Sequence, residues 1–313
     1  FMGFGVWSLV IQQMANRFLN TAGLWLTSRW KPALQFSLES FRSLFSFGAW
    51  VLAAGLLRTI FDNIYILTIG KLFPVAQLGF YSQAKKFKQI SSEQVSGAVG
   101  IVAFPVLSNL QDDKLRLKQA MCKFLTHTLV FTTPLLITLM VVAKPFVILL
   151  LTEKWVPMIP YLQLLCVVGT LYPIHLINVQ ALQAQGKSKL NFKLGMIKNG
   201  LRVINIALMY RWGVIFIIIG EVILSFVALA INTYYTKRLI NYGMLDQLKD
   251  IKQILLAGVL AGLSGYTSSY AITNMYFVFF IGIFVSLTIY ILLQYLFNKI
   301  LFIELIKMKE NFI

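Results

Sequence analysis

Nine runs of about twenty mainly apolar residues, set almost end to end, constrain this chain more than any other feature. They are residues 4–27, 44–68, 80–107, 122–143, 157–182, 190–210, 213–235, 252–271 and 275–297. Each is long enough for a helix to cross a bilayer. The runs are too long for strands and show no alternation of period two. Residues AVILMFWYC make up 58% of the chain and DEKR 12%. A soluble domain carries about 25% charged residues, so this chain lacks the polar surface to cover a water-exposed globule. The fold expected is all-α, a polytopic membrane bundle. The net charge of +17 would suit a nucleic-acid binder, but the apolar content excludes that partner. Cys122 and Cys166 lie in apolar runs and are too few for a disulfide framework.

The basic residues test the count of spans. Alternate loops hold eighteen Lys and Arg on one side and four on the other. The rich side includes Arg29, Lys31, Lys114, Lys187, Lys198, Lys237 and Lys307; the poor side holds Lys71, Lys144, Lys154 and Arg211. The positive-inside rule puts the rich loops and the C-terminus in the cytoplasm and Phe1 outside. The chain starts with Phe1 inside an apolar run, without a signal-peptide pattern. The expectation is a piece of a longer protein, cut on its N-terminal side.

Six basic residues remain in or near the spans: Arg17, Arg58, Lys85, Lys86, Lys88 and Arg202. Asp62, Glu93 and Glu221 accompany them. A charge at the bilayer centre costs at least about 2.5 kcal/mol on insertion scales, so these side chains should face a bundle interior or a wet cavity. Helical spacing puts Gln13, Arg17 and Asn20 on one face of the first span. They read either as a cavity wall or as interhelical hydrogen bonding. Arg58 and Asp62, i and i+4, are either a mutual salt bridge or a pair open to substrate and cation. Lys85, Lys86 and Lys88 stand at the outer end of the third span, where the positive-inside rule does not want them, and suggest an anion-attracting vestibule. Arg202 follows Lys198 by one turn. Asn178 joins the candidates as a partner for sugar hydroxyls. Asp62, Glu93 and Glu221 are the candidates for ion coupling. His127 and His175 lack metal-spaced partners, and no metal site or cofactor is expected. The P-loop, GxGxxG, HExxH, CxxC and GxSxG patterns are all absent from the sequence.

Several blocks are similar, in order, to one family. FGVWSLVIQQ at 4–13, SRWKPALQFSLESFRSLFSFG at 28–48, LGFYSQAKK at 78–86, FPVLSNLQDDKLRL at 104–117, TEKWVPMIPYLQLLC at 152–166 and ALQAQGKSK at 181–189 resemble the Wzx-type polysaccharide flippases. These belong to the multidrug/oligosaccharidyl-lipid/polysaccharide exporter superfamily. The resemblance implies helices six to fourteen of a fourteen-helix bundle. Residues 1–27 would be the last helix of the first bundle, 44–236 the second six-helix bundle, and 252–298 two additional helices. It also implies a non-enzymatic carrier in the bacterial inner membrane. Such a carrier would move polyprenyl-diphosphate-linked oligosaccharide to the outer leaflet, with other polysaccharide-assembly proteins as partners. A cation-coupled drug exporter of the same superfamily is the nearest alternative, but its substrates would prefer an acidic or aromatic cavity. An integral-membrane polymerase would carry a long outer loop. A structural scaffold would leave the charges within the spans unexplained.

Overall fold

In a bilayer every backbone N–H and C=O must find a partner inside the protein, and helices meet that demand within each segment. A computed structural model describes residues 6–28, 37, 38, 45, 56, 59–270 and 274–298. Among them all regular structure is helical. The chain divides into two units, Phe1–Arg58 and Thr59–Ile313. The first unit contains α1 (Val6–Thr27).

The second unit begins with a helical turn at 59–62 and continues as α2 (Ile64–Leu72). Next comes a continuous rod of α3 (Val75–Lys88), a π-helical segment (Gln89–Gln94) and α4 (Val95–Asn109). Then follow α5 (Lys114–Val141), the short α6 (Ala143–Leu151), α7 (Ile159–Ala184), α8 (Ser188–Met209), α9 (Val214–Ile240), α10 (Met244–Tyr270) and α11 (Met275–Phe297). Five of the described helical stretches are long and apolar enough to cross a membrane: Val75–Asn109, Lys114–Val141, Glu153–Ala184, Val214–Ile240 and Met275–Phe297. The chain is a multi-pass membrane protein. Helices α1, α8 and α10, of 22, 22 and 27 residues, have the length but are more polar.

Several helices extend beyond the apolar runs. α5 starts eight residues earlier, at Lys114. The Asp113 side chain caps it, accepting from the Leu115 and Arg116 amides at 3.0 Å each. α10 likewise starts at Met244. Hydropathy registers only the apolar stretch, while a capped helix continues into water. The run at 144–153, read as interfacial, is α6 followed by a 3-10 turn, Glu153–Met158.

α7 is the central helix. It packs against α3, α4, α5, α8 and α9. Apolar packing between helices gains little over lipid contact, so hydrogen bonds and close backbone approach carry more of the specificity. α7 has a polar tie to each of several neighbours. The Ser92 hydroxyl donates to Gly169 O at 2.6 Å, Gln180 Nε2 donates to Gly100 O at 3.0 Å, and Gln163 Nε2 donates to Met140 O at 3.2 Å. Glycines admit these approaches: a methyl at Gly100 would stand 2.7 Å from Gln180 Nε2, and one at Gly169 3.0 Å from Lys88 Cγ.

Two of the ties follow from proline. Pro173 lies inside α7 and has no N–H to offer the carbonyl four residues back, which is Gly169. Ser92, in the π-helical segment, fills that vacancy. Pro134 does the same to Val130 in α5, and the Tyr290 hydroxyl of α11 donates to Val130 O at 3.1 Å. Each proline thus fixes where another helix must dock.

The elbow between α9 and α10 is fastened to α5. Asn241 ends α9 in the left-handed region at φ 57°. Buried Tyr242 donates to Asp250 Oδ2 at 2.7 Å, and Lys118 Nζ donates to Asn241 O at 3.3 Å. Burial first, then that bond to the carboxylate, hold the Tyr242 phenol well above its ordinary pKa. Further along α10, Gly258 and Gly262 meet Ile137 of α5, and Gly265 meets Ser286 of α11.

The proline ties make a sharp prediction. Ser92→Ala leaves a buried carbonyl unanswered and should destabilise the protein by about 1–3 kcal/mol. In a Pro173→Ala background the new amide answers Gly169 O, and most of that cost should vanish. Thermal unfolding in detergent across the double-mutant cycle measures the coupling. Additive effects would refute the tie.

Candidate functional site

The charged residues of the second unit fall into two neighbouring groups. The first lies where α2, α3, α8 and α9 meet. Tyr81, Lys85 and Lys88 follow one another at helical spacing along α3. Lys85 Nζ donates to the Asp62 carbonyl at 3.1 Å and stands in the field of Lys88, Glu221, Glu93 and Asp62. Tyr81 is fully buried and donates its hydroxyl to Glu221 Oε2 at 3.3 Å. The Tyr65 and Tyr81 rings lie 6.5 Å apart. Asn205 Nδ2 approaches the Tyr65 hydroxyl at 3.4 Å and donates to Ile217 O at 3.0 Å. Gly220 of α9 makes room for it, since a methyl there would overlap the Asn205 amide. Arg202, one turn before Asn205, acts on both tyrosines through its field.

Lys88 immediately precedes the π-helical segment and Glu93 lies within it; they form a 2.6 Å ion pair, with side chains 7% and 26% exposed. The α-helical spacing of five residues would put them on different faces; the wider π turn brings them together. This pair is neutralised internally.

The second group is a relay through three helices. Lys198 Nζ of α8 donates to Asn232 Oδ1 of α9 at 3.2 Å. An ammonium only donates, so it fixes which end of the Asn232 amide faces it. Asn232 Nδ2 then faces His175 Nδ1 of α7 at 3.3 Å. That leaves the ring proton on Nε2, 3.2 Å from the Ser225 hydroxyl. Arg202 donates to Asn199 Oδ1 at 3.2 Å. The sequence reading counted Lys198 with the loop residues. The structure places it ten residues inside α8, about 15 Å along the helix at 1.5 Å per residue.

The other expected site residues lie elsewhere. Asn178 is fully buried and committed: it donates to Ile174 O and Gln247 Oε1 at 2.8 and 2.9 Å, and accepts from Gln247 and Thr236 at 2.8 and 2.9 Å. Both ends of its amide are used, so it ties α7 to α9 and α10 and offers nothing to a sugar hydroxyl. Lys86 is exposed, on the face of α3 away from Lys85 and Lys88. Gln13, Arg17 and Asn20 are exposed along α1, where Asn20 Nδ2 donates to Asn16 O at 3.0 Å. Arg58 lies outside the described residues, so the Arg58–Asp62 spacing is not described either.

Sequence reasoning missed Tyr65, Tyr81, Asn205, Ser225 and Asn232. A usable signal existed on α8, where Lys198, Arg202 and Asn205 share one stripe at i, i+4 and i+7. Another lay on α3, where Tyr81 precedes Lys85 by one turn. Among the described residues no cluster of His, Cys, Asp and Glu suits a metal ion.

Comparison with known proteins places the chain. The chain is 29% identical over 201 residues to the lipopolysaccharide biosynthesis protein WzxC of Escherichia coli K12, covering 62% of this chain and 41% of that protein. It is 28% identical over 194 residues to the teichuronic acid biosynthesis protein TuaB of Bacillus subtilis 168, covering 61% and 40%. The chain therefore spans about two-fifths of the length of these relatives. A solved structure of the lipid II flippase MurJ, in an inward closed conformation, superposes with a TM-score of 0.72 at 16% identity, covering 88% of this chain and 59% of that one. The likeness is one of fold. The family described as "Polysaccharide biosynthesis protein" matches residues 1–160. That is more than half of the chain, and with a Wzx-named relative beside it, the chain belongs to this polysaccharide biosynthesis family of membrane proteins.

Proposed function

We propose that this chain is the C-terminal part of a flippase that carries lipid-linked oligosaccharide across the bacterial inner membrane. The observation that supports this reading best is the first charged group. Lys85, Arg202, Tyr65, Tyr81 and Asn205 gather at the junction of four helices, with Glu221 beside them. A diphosphate crossing a bilayer must exchange its hydration for charge-assisted hydrogen bonds. Lys85 and Arg202 supply cations; the tyrosines and Asn205 supply polar groups suited to sugar hydroxyls. Arg17, Gln13, Asn20 and Arg58 remain candidates for such contacts by residue type. The prenyl chain would stay in the bilayer while one bundle rocks against the other. Asp62 and Glu221 are the carboxylates best suited to couple an ion. Glu93 would serve by releasing Lys88. The C-terminus and the Lys187 turn would face the cytoplasm.

The function is tested by complementation. The full-length gene should restore surface polymer to a strain lacking its polysaccharide flippase. Lys85→Gln, Arg17→Ala and Arg58→Ala should each lower polymer export by about tenfold or more, the equivalent of about 1.4 kcal/mol in transition-state or substrate stabilisation. Unchanged polymer in all three would sink the basic cavity. Coupling is read separately from transport against pH and sodium. Asp62→Asn or Glu221→Gln should flatten one of those dependences, and normal profiles in both, with Glu93→Gln normal too, would remove the carboxylates from the mechanism. Orientation is read from a single cysteine at Lys187, which should react with an impermeant maleimide only after the cells are opened.

A further inference from the structure

Lys114, Lys187 and Arg238 belong to the basic side of the bundle. Topology accounts for the side of the membrane on which they stand, and not for their grouping. The structure brings all three to one pocket of about 270 Å³. Each comes from a different element: Lys114 from the start of α5, Lys187 from the turn between α7 and α8, and Arg238 from the last turn of α9. All three residues are exposed. Among the described residues, none of them stands within 4.0 Å of a carboxylate. Asp112 is the one acidic residue that lines the pocket, so three cations against one carboxylate leave a net charge of +2. Neighbouring Asp113 is spent on the first amides of α5 and on Arg116.

The pocket leads into apolar surface. The Arg238 guanidinium lies over the Tyr234 ring, 5.8 Å from its centre. Tyr234 also lines an apolar groove of about 410 Å³ between α8 and α9, together with Leu194, Ile197 and Ala230. Ala230, Tyr234 and Arg238 are spaced by four residues and form one stripe of α9. Leu194 stands seven residues, about two turns, after Lys187 on the α8 side. From Arg238 to Ala230 the stripe runs about 12 Å at 1.5 Å per residue. The groove therefore extends from the basic pocket toward the middle of α9, and Arg238 on Tyr234 joins the two.

We propose that pocket and groove together bind an anionic glycerophospholipid of the leaflet on this side, at a site separate from the charged group assigned to the cargo. Basic pockets between the ends of membrane helices suit anionic lipid heads. The phosphodiester meets Lys114, Lys187 and Arg238 in charge-assisted hydrogen bonds. Gln111 and Gln185, which also line the pocket, suit the hydroxyls of a glycerol head. One acyl chain follows Tyr234 and Ala230 along the groove. A zwitterionic head fits less well, because only Asp112 is there to answer its ammonium. The inference does not rest on the flippase reading.

The test is native mass spectrometry of the delipidated full-length protein, titrated with dioleoylphosphatidylglycerol and with dioleoylphosphatidylethanolamine. The phosphatidylglycerol should bind about tenfold more tightly or more, since each basic residue at an anionic head contributes about fivefold in affinity. Lys114→Gln/Lys187→Gln/Arg238→Gln should abolish that preference. Lys123→Gln/Lys249→Gln/Lys252→Gln removes as many cations outside the pocket and should keep it. All six positions are exposed, so both variants should unfold at the temperature of the parent. Ala230→Phe fills the groove and should weaken phosphatidylglycerol binding. Equal affinity of the parent for the two lipids, or a preference that survives in the pocket variant, would overturn the site. A preference lost in the control variant as well would reduce the effect to net charge and overturn the pocket. Undiminished binding to Ala230→Phe, or competition by soluble glycerophosphoglycerol at the concentration of the lipid, would overturn the lipid as the source of the phosphodiester. Displacement by a polyglutamate peptide at that concentration would assign the patch to an acidic protein segment instead. None of these readouts requires transport.

Discussion

A carbonyl deprived of its amide by proline is the interaction on which this bundle depends. Gly169 O and Val130 O each lack the usual donor, and each receives a hydroxyl from another helix. Within hydrocarbon such a carbonyl has no water to fall back on. The π-helical segment therefore docks at one level of α7, and α11 at one level of α5. The remaining ties of α7, through Gln163, Asn178 and Gln180, work to the same end. They set register in a protein whose apolar surfaces would pack nearly as well a turn higher or lower.

Charge is distributed on a different principle. Where a cation serves the fold, it is paired or capped: Lys88 with Glu93, and Lys118 with the Asn241 carbonyl and the Tyr242 ring. Where α8 faces α7 and α9, Lys198 and Arg202 donate to the amides of Asn232 and Asn199. Asn232 is itself met by His175, and His175 by Ser225.

The five described spans that are long and apolar enough to cross a membrane were legible in the sequence because hydropathy over about 20 residues is a strong signal; the run at 275–297 is α11 to the residue. Helix ends were less so, since Asp113 extends α5 well into the polar segment. Lys198 lies inside the run at 190–210 and was counted with the loop residues for its charge alone. The charges within the spans were visible, and Lys85, Arg202 and Glu221 do gather in one region. Their neutral partners were not visible. Tyr81, Asn205 and Asn232 are unremarkable in composition, and only the crossing of α3, α8 and α9 brings them to the charges. Asn178 shows the converse: a polar residue in an apolar run, spent entirely on Gln247, Thr236 and its own helix. Sequence could not separate that tie from a ligand-facing amide.

The polarity of α8 bears on how the chain enters the membrane. With Lys189, Lys193, Lys198 and Arg202 along its 22 residues, it would partition poorly as an isolated segment. α9, whose most apolar window has a mean hydropathy of 2.9, follows after only a three-residue turn, Tyr210–Trp212. Insertion of the two helices as one hairpin would let the greasy arm carry the charged one, with the Lys198–Asn232 contact joining them. Biogenesis of the bundle would then depend on the order in which its helices are made, as well as on their individual hydrophobicity.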